Sequence, residues 1–100
     1  MHPSPEQRLT VTRILENAER YRGKDVTIRR GFFSYNGELR RIQLESNNGM
    51  IVFSVGRGQE RCTDFGFLVD TIIPDTVYCS GIGLYVKFQY DSREDHVSIV

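Results

Sequence analysis

The stretch Val26–Ser46, VTIRRGFFSYNGELRRIQLES, decides how the rest of the chain is read. Val26 and Ile28 alternate with Thr27 and Arg29, and Ile42 and Leu44 alternate with Arg41, Gln43 and Glu45, the period of two that marks half-buried strands. Asn36-Gly37 between them is a strong hairpin signal, because a two-residue type I′ turn needs positive φ at both positions. Counting back from that turn, Phe33 opposes Arg40, Phe32 opposes Arg41 and Ile28 opposes Glu45, which sets a core face against a solvent face. One extra residue near Gly31 repairs the register, so that Ile28 opposes Leu44 and Arg29 opposes Gln43. Gly31 is therefore expected to be a β-bulge, a device that bends a sheet toward a small barrel.

Upstream, Ser4 at the N-cap, Pro5 at the first helical position and Gln7 closing a capping box predict a helix over residues 4–22, stopped by Gly23. Val11, Ile14, Leu15, Ala18 and Tyr21 form its apolar stripe. The β-branched run Thr10-Val11-Thr12 weakens its first half. Downstream, Asn47-Asn48-Gly49 turns the chain into the apolar strand Met50–Val55. Arg57–Asp75 reads as an irregular connection with a short helix around Phe65–Val69, capped by Thr63 or Asp64. A long strand interrupted by Gly81 and Gly83 follows, and DSRED turns it into the last strand, HVSIV.

One hundred residues with 39% hydrophobic and 26% charged content predict a single domain, residues 1–100, with the helix in 4–22 and the sheet in 25–100. No run approaches the roughly 18 apolar residues of a membrane span, and MHPSPEQRLT lacks the features of a signal peptide, so a cytoplasmic protein with no membrane partner is expected. Cys62 and Cys79 form no CxxC pair and are read as reduced thiols; His2 and His96 show no metal-ligand spacing, so no metal or cofactor is expected. Net charge is zero, which removes the simplest argument for a nucleic-acid partner. The charge is nevertheless bipolar, with eleven Lys/Arg against seven acids up to residue 61 and two against six beyond it.

Ala18–Leu44, AERYRGKDVTIRRGFFSYNGELRRIQL, resembles the opening of OB domains of the tRNA-anticodon-binding-like group, through Tyr21, Gly23, Lys24, Val26, Ile28, Gly31, Ile42 and Leu44. DTVYCSGIG is similar to the fourth strand of that pattern. The resemblance implies a mainly β fold with an N-terminal helix and a small five-stranded OB-like barrel. RGKDVTI followed by Gly37-Glu38-Leu39 also resembles Sm-like barrels, which leaves an Sm/SH3-like small barrel as the alternative.

OB domains bind ligands across strands two and three and with the flanking loops, and the resemblance implies a site at Phe32, Arg41, Gln43, Glu45, the turn Tyr35–Glu38 and the loop Asp91–Asp95. An aromatic that stacks a base, flanked by arginines that hold phosphates, suits single-stranded DNA or RNA. The nucleic-acid-binding set is thus Arg29, Phe32, Tyr35, Arg40, Arg41, Gln43 and Arg57. Against it stands a plainer reading in which Phe32 packs under the helix or in a dimer interface, with the Arg41 stem across it. Arg20–Lys24 offsets a helix dipole without any ligand, and DSREDH lacks the ordered ligand positions of a calcium loop. No nucleophile motif or convergent carboxylate pair supports catalysis, so no enzyme is expected. The second functional class is a protein-protein interaction adaptor or inhibitor, or a homo-oligomer, using edge strands and Tyr85, Phe88 or Tyr90. The two classes are to be told apart by whether Arg29, Arg40, Arg41 and Arg57 share one face or are interleaved with acids.

Overall fold

The computed structural model describes residues 2–100. Helix α1 spans Pro5–Tyr21, and Ser4 caps it as the sequence predicts. Ser4 Oγ accepts from the Gln7 N–H at 3.1 Å while Gln7 Oε1 accepts from the Ser4 N–H at 2.8 Å. The Gln7 amide also donates to the carbonyls of Asp70 and Ile72, both at 2.9 Å, and so ties the cap to a segment far away in sequence. The β-branched run does not interrupt the helix, because Val11, Ile14 and Tyr21 are buried in the common core and Thr10 Oγ1 bonds back to the Glu6 carbonyl at 3.0 Å.

Seven strands follow: β1 (Asp25–Arg30), β2 (Phe33–Glu45), β3 (Met50–Gly56), β4 (Thr63–Leu68), β5 (Tyr78–Cys79), β6 (Leu84–Gln89) and β7 (Glu94–Ile99). They form one sheet in the order β4-β3-β2-β1-β7-β6-β5, with every pairing antiparallel. The chain is thus mainly β with an N-terminal helix, with seven strands where five were expected. Two differences account for the count. Thr63–Leu68, which covers most of the short helix expected around Phe65–Val69, pairs with β3 so that Phe65 and Phe67 enter the core, and a 3₁₀ turn at Val69–Thr71 follows. Gly81 and Gly83 split the long expected strand into β5 and β6.

The opening hairpin also differs from expectation. Its turn is Gly31-Phe32, with Arg30 opposite Phe33, and Asn36-Gly37 lies inside β2 opposite Thr27 and Val26. Gly31 has φ +59° in the first loop position, while Phe32 stays on the negative side, the pattern of a type II′ turn. The bulge sits elsewhere, at Arg40, where the β2–β3 register shifts between Leu39 and Arg41. Ile28 therefore opposes Tyr35, Arg29 opposes Ser34 and Arg41 opposes Ser54, in place of the expected pairs.

Gly37 is glycine for a different reason from the one the turn reading supplied. A Cβ there would lie 2.6 Å from Val55 Cγ1 and 2.7 Å from the Gly56 carbonyl oxygen. The turn between β2 and β3 is as expected, and Ser46, Asn47 and Asn48 all have positive φ in it.

The sheet curls until β4 meets β6, although no ladder joins them. Side chains and single bonds fill the seam. Ile72 makes one bridge with Phe88, the Ile73 N–H donates to the Lys87 carbonyl at 3.0 Å, and the Phe67 and Phe88 rings stack at 4.4 Å. Arg30 donates to the Gly66 carbonyl and lies 4.5 Å over the Phe67 ring, while Tyr90 Oη accepts the Leu68 N–H at 3.3 Å. Inside the curl, Val26, Ile28, Phe53, Phe67, Val86 and Phe88 share one core with the helix. Phe88 is therefore wholly buried, which removes it from the exposed aromatics expected of a partner surface.

Candidate nucleic-acid interface

The turn at Gly31 puts Phe32 at the apex of the β1–β2 hairpin, where its ring is fully exposed. It packs neither under the helix nor beneath Arg41, which lies opposite Ser54 on the far side of the Arg40 bulge. Phe33 beside it is 53% exposed. The turn is held from behind: Asp95 Oδ1 accepts the Gly31 N–H at 3.1 Å, and Arg93 pairs with both Asp95 oxygens, at 2.9 and 3.1 Å. Arg93 also lies 4.8 Å over the Tyr90 ring, and its guanidinium is held further toward the charged state by the Asp95 carboxylate.

The sequence-predicted residues divide into groups. Tyr35 and Arg57 meet: the guanidinium sits 4.1 Å over the ring, and Arg57 Nε donates to the Asn36 carbonyl at 2.8 Å. Tyr35 also packs on Phe65 at 5.1 Å and on Phe33 at 6.5 Å, so the row of rings runs from the exposed Phe33 inward to the buried Phe65. Arg40 is engaged elsewhere, donating to Glu38 at 3.1 Å and to the Gly58 carbonyl at 2.7 Å. Arg41 is exposed, but the residue opposite it, Ser54, donates to Asp64 at 2.6 Å, so an acid interrupts the positive charge there. Arg40 and Arg41 border a small groove with Glu19 and Arg22 at the end of α1. Gln43 is half-buried opposite Val52, and Glu45 is exposed opposite Met50.

Arg29 belongs to a different set, composed with residues that sequence reasoning did not select. It lies directly opposite His96 on β7, and His96 lies directly opposite Lys87 on β6. Directly opposed residues share a face with Cβ atoms about 4.5–5.5 Å apart, so Arg29, His96 and Lys87 form a cationic rung across three strands. Lys87 has one acidic neighbour, Glu94, at 3.5 Å. Tyr85 packs against His96 at 5.4 Å on the same outer face. The His96 imidazole is pushed below its ordinary pKa, first by burial and then by Arg29, with Lys87 adding to the effect and Glu94 and Asp95 opposing it. The alternation of Leu84-Tyr85-Val86-Lys87-Phe88 against Asp95-His96-Val97-Ser98 carried this signal, once β7 was placed beside β1.

Among the described residues, no three His, Cys, Asp or Glu side chains converge on a point that would hold a metal, and no helix is long and apolar enough to cross a membrane. Neither family models, nor curated proteins, nor solved structures show a significant match to the chain.

Proposed function

We propose that the chain is a non-catalytic binding module of the cytoplasm, an OB-like curled barrel whose ligand is single-stranded DNA or RNA. The observation that supports this most is the rung Arg29–His96–Lys87, which begins two residues from the end of a hairpin that carries a fully exposed phenylalanine. Arg29 and Lys87 flank the His96 imidazole on this rung, and a phosphate chain laid along it meets both side chains and favours protonation of the ring between them. Phe32 supplies the stacking surface, while the Arg57–Tyr35 pair lies on the other side of the hairpin, on the face that Tyr35 shares with Ile28. Arg40 and Arg41 lie away from the rung, beside the end of α1, so the arginines expected to act together do not share one face and the reading rests on Arg29, His96, Lys87 and Phe32.

The test is a fluorescence-anisotropy titration of labelled single-stranded DNA and RNA at two salt concentrations. Binding weakens as salt rises, and Phe32→Ala lowers affinity by about 1–3 kcal/mol through lost stacking. Arg29→Ala also lowers affinity and flattens the salt slope. No binding at low salt sinks this reading.

A second reading has an observation of its own. β5 is a two-residue edge strand whose Tyr78 is 54% exposed, and the loop after it carries Ile82 at 73%. An apolar edge of this kind suits a protein partner or a second copy of the chain, in the role of adaptor or inhibitor.

A further inference from the structure

Between the first half of α1 and the β2–β3 turn lies a groove of about 520 Å³, within the range of roughly 300–1,000 Å³ typical of small-molecule sites. Its floor is Val11, Leu15, Leu44 and Val69. Val11 and Val69 are only 5% and 1% exposed, so the groove reaches down to the core. Its rim is polar, with Arg8 on the helix side and the segment Ser46–Asn48 on the other. Arg8 makes no ion pair among the described residues.

The loop wall is held in a costly conformation. Ser46, Asn47 and Asn48 have φ of 54°, 56° and 67°, three successive L-residues in the left-handed region. Two bonds keep them there: the Gly49 N–H donates to the Ser46 carbonyl and the Val69 N–H to the Gly49 carbonyl, both at 3.0 Å. Backbone strain of this kind concentrates at ligand clamps. An apolar floor open to one unpaired guanidinium and two side-chain amides selects a ligand with an apolar body and an anionic, hydrogen-bond-accepting head.

We infer that this groove binds a medium-chain acyl carboxylate, with the chain over Val11, Leu15, Leu44 and Val69 and the carboxylate at Arg8 and the Asn47–Asn48 amides. The site is separate from the nucleic-acid surface and does not depend on it.

Octanoate is titrated into the whole chain, below its micelle concentration, while backbone amide shifts are followed by NMR. Saturable shifts at Leu15, Leu44, Asn48 and Val69 are expected, with binding at least tenfold weaker for octanol and for Arg8→Gln. Leu15→Trp, which fills the groove, abolishes the shifts while a thermal melt confirms that it remains folded. The inference is overturned if shifts do not saturate, if they map away from the groove, or if octanol binds as well as octanoate. Unchanged octanoate binding by Arg8→Gln overturns it equally.

Discussion

The buried carboxylate of Asp95 accepts the backbone N–H of Gly31 at 3.1 Å, and this bond ties the start of β7 to the apex of the hairpin that exposes Phe32. Asp95 is an acid on the inward side of a strand, opposite Arg30 and Phe88, and is accommodated there because Arg93 and the Gly31 amide supply its partners. Asp95→Ala leaves the Gly31 N–H without an acceptor. A loss of about 1.5–3 kcal/mol is expected, the range for hydrogen bonds to charged groups. A urea-melt midpoint equal to that of the parent would show that the turn does not depend on Asp95.

Much of the architecture is legible in residues whose local and global preferences agree. Ser4, Pro5 and Gln7 predict the helix start, and the structure has both capping-box bonds. The hairpin is ambiguous in the sequence because two glycines compete for its turn. Asn36-Gly37 is the stronger I′ signal, but Gly31-Phe32 satisfies a II′ turn and lets Val26 and Ile28 face Gly37 and Tyr35. The bulge was legible in β2 itself, since Leu39 and Ile42 both point inward although three positions separate them. An even spacing is needed to stay on one face, so an extra residue must lie between them. The cationic rung was not legible in the same way, because it depends on β7 lying next to β1, a pairing between opposite ends of the chain.

Gly37 and Gly31 give contrasting expectations for the same substitution. Gly37→Ala drives a Cβ against a buried side chain and a backbone carbonyl, and overpacking of this kind costs about 1–3 kcal/mol. At Gly31 the nearest atom to an added Cβ is Arg93 Cδ at 3.7 Å, so space is available and the cost is conformational, about 1–3 kcal/mol for an L-residue held at positive φ. Crystal structures of the two variants separate the causes: β3 shifts at Val55–Gly56 in the first, and the turn changes type in the second. A Gly37→Ala variant with parental stability and an unmoved β3 would refute the close-approach reading.

His96 makes stability depend on pH and, on the proposed function, ligand affinity as well. Its folded pKa lies below the ordinary value near 6.5, chiefly through burial and then through Arg29, so folding favours the neutral ring. The corresponding stability is present above about pH 6.5 and is lost as pH falls through the folded pKa, where the unfolded chain takes up the proton first. A phosphate on the rung favours the protonated ring, so the proposed binding of single-stranded nucleic acid is expected to strengthen across the same fall in pH. His96→Gln removes both trends. Anisotropy titrations of the two proteins at pH 7.5 and pH 5.5 that show equal pH dependence would exclude His96 from the interface.

Tyr21 sets the opposite limit. Its hydroxyl, at the wholly buried end of the helix stripe, serves the carbonyls of Ser80 and Gly83 and lies 3.4 Å from the Cys79 sulfur. Burial, followed by the contact with Cys79, pushes its pKa well above the ordinary value near 10. The stability that follows is fully present below about pH 10 and is lost as pH rises above it, because the unfolded chain releases the phenolic proton first. Tyr21→Phe keeps the ring and leaves the two carbonyls unserved, which costs about 1–3 kcal/mol at neutral pH and removes Tyr21's share of the alkaline slope. Urea melts at pH 8, 10 and 11 measure both effects. If the parent and Tyr21→Phe lose stability in parallel from pH 10 to 11, the proton that unfolds the chain in alkali comes from another group, and the helix end is held by packing alone.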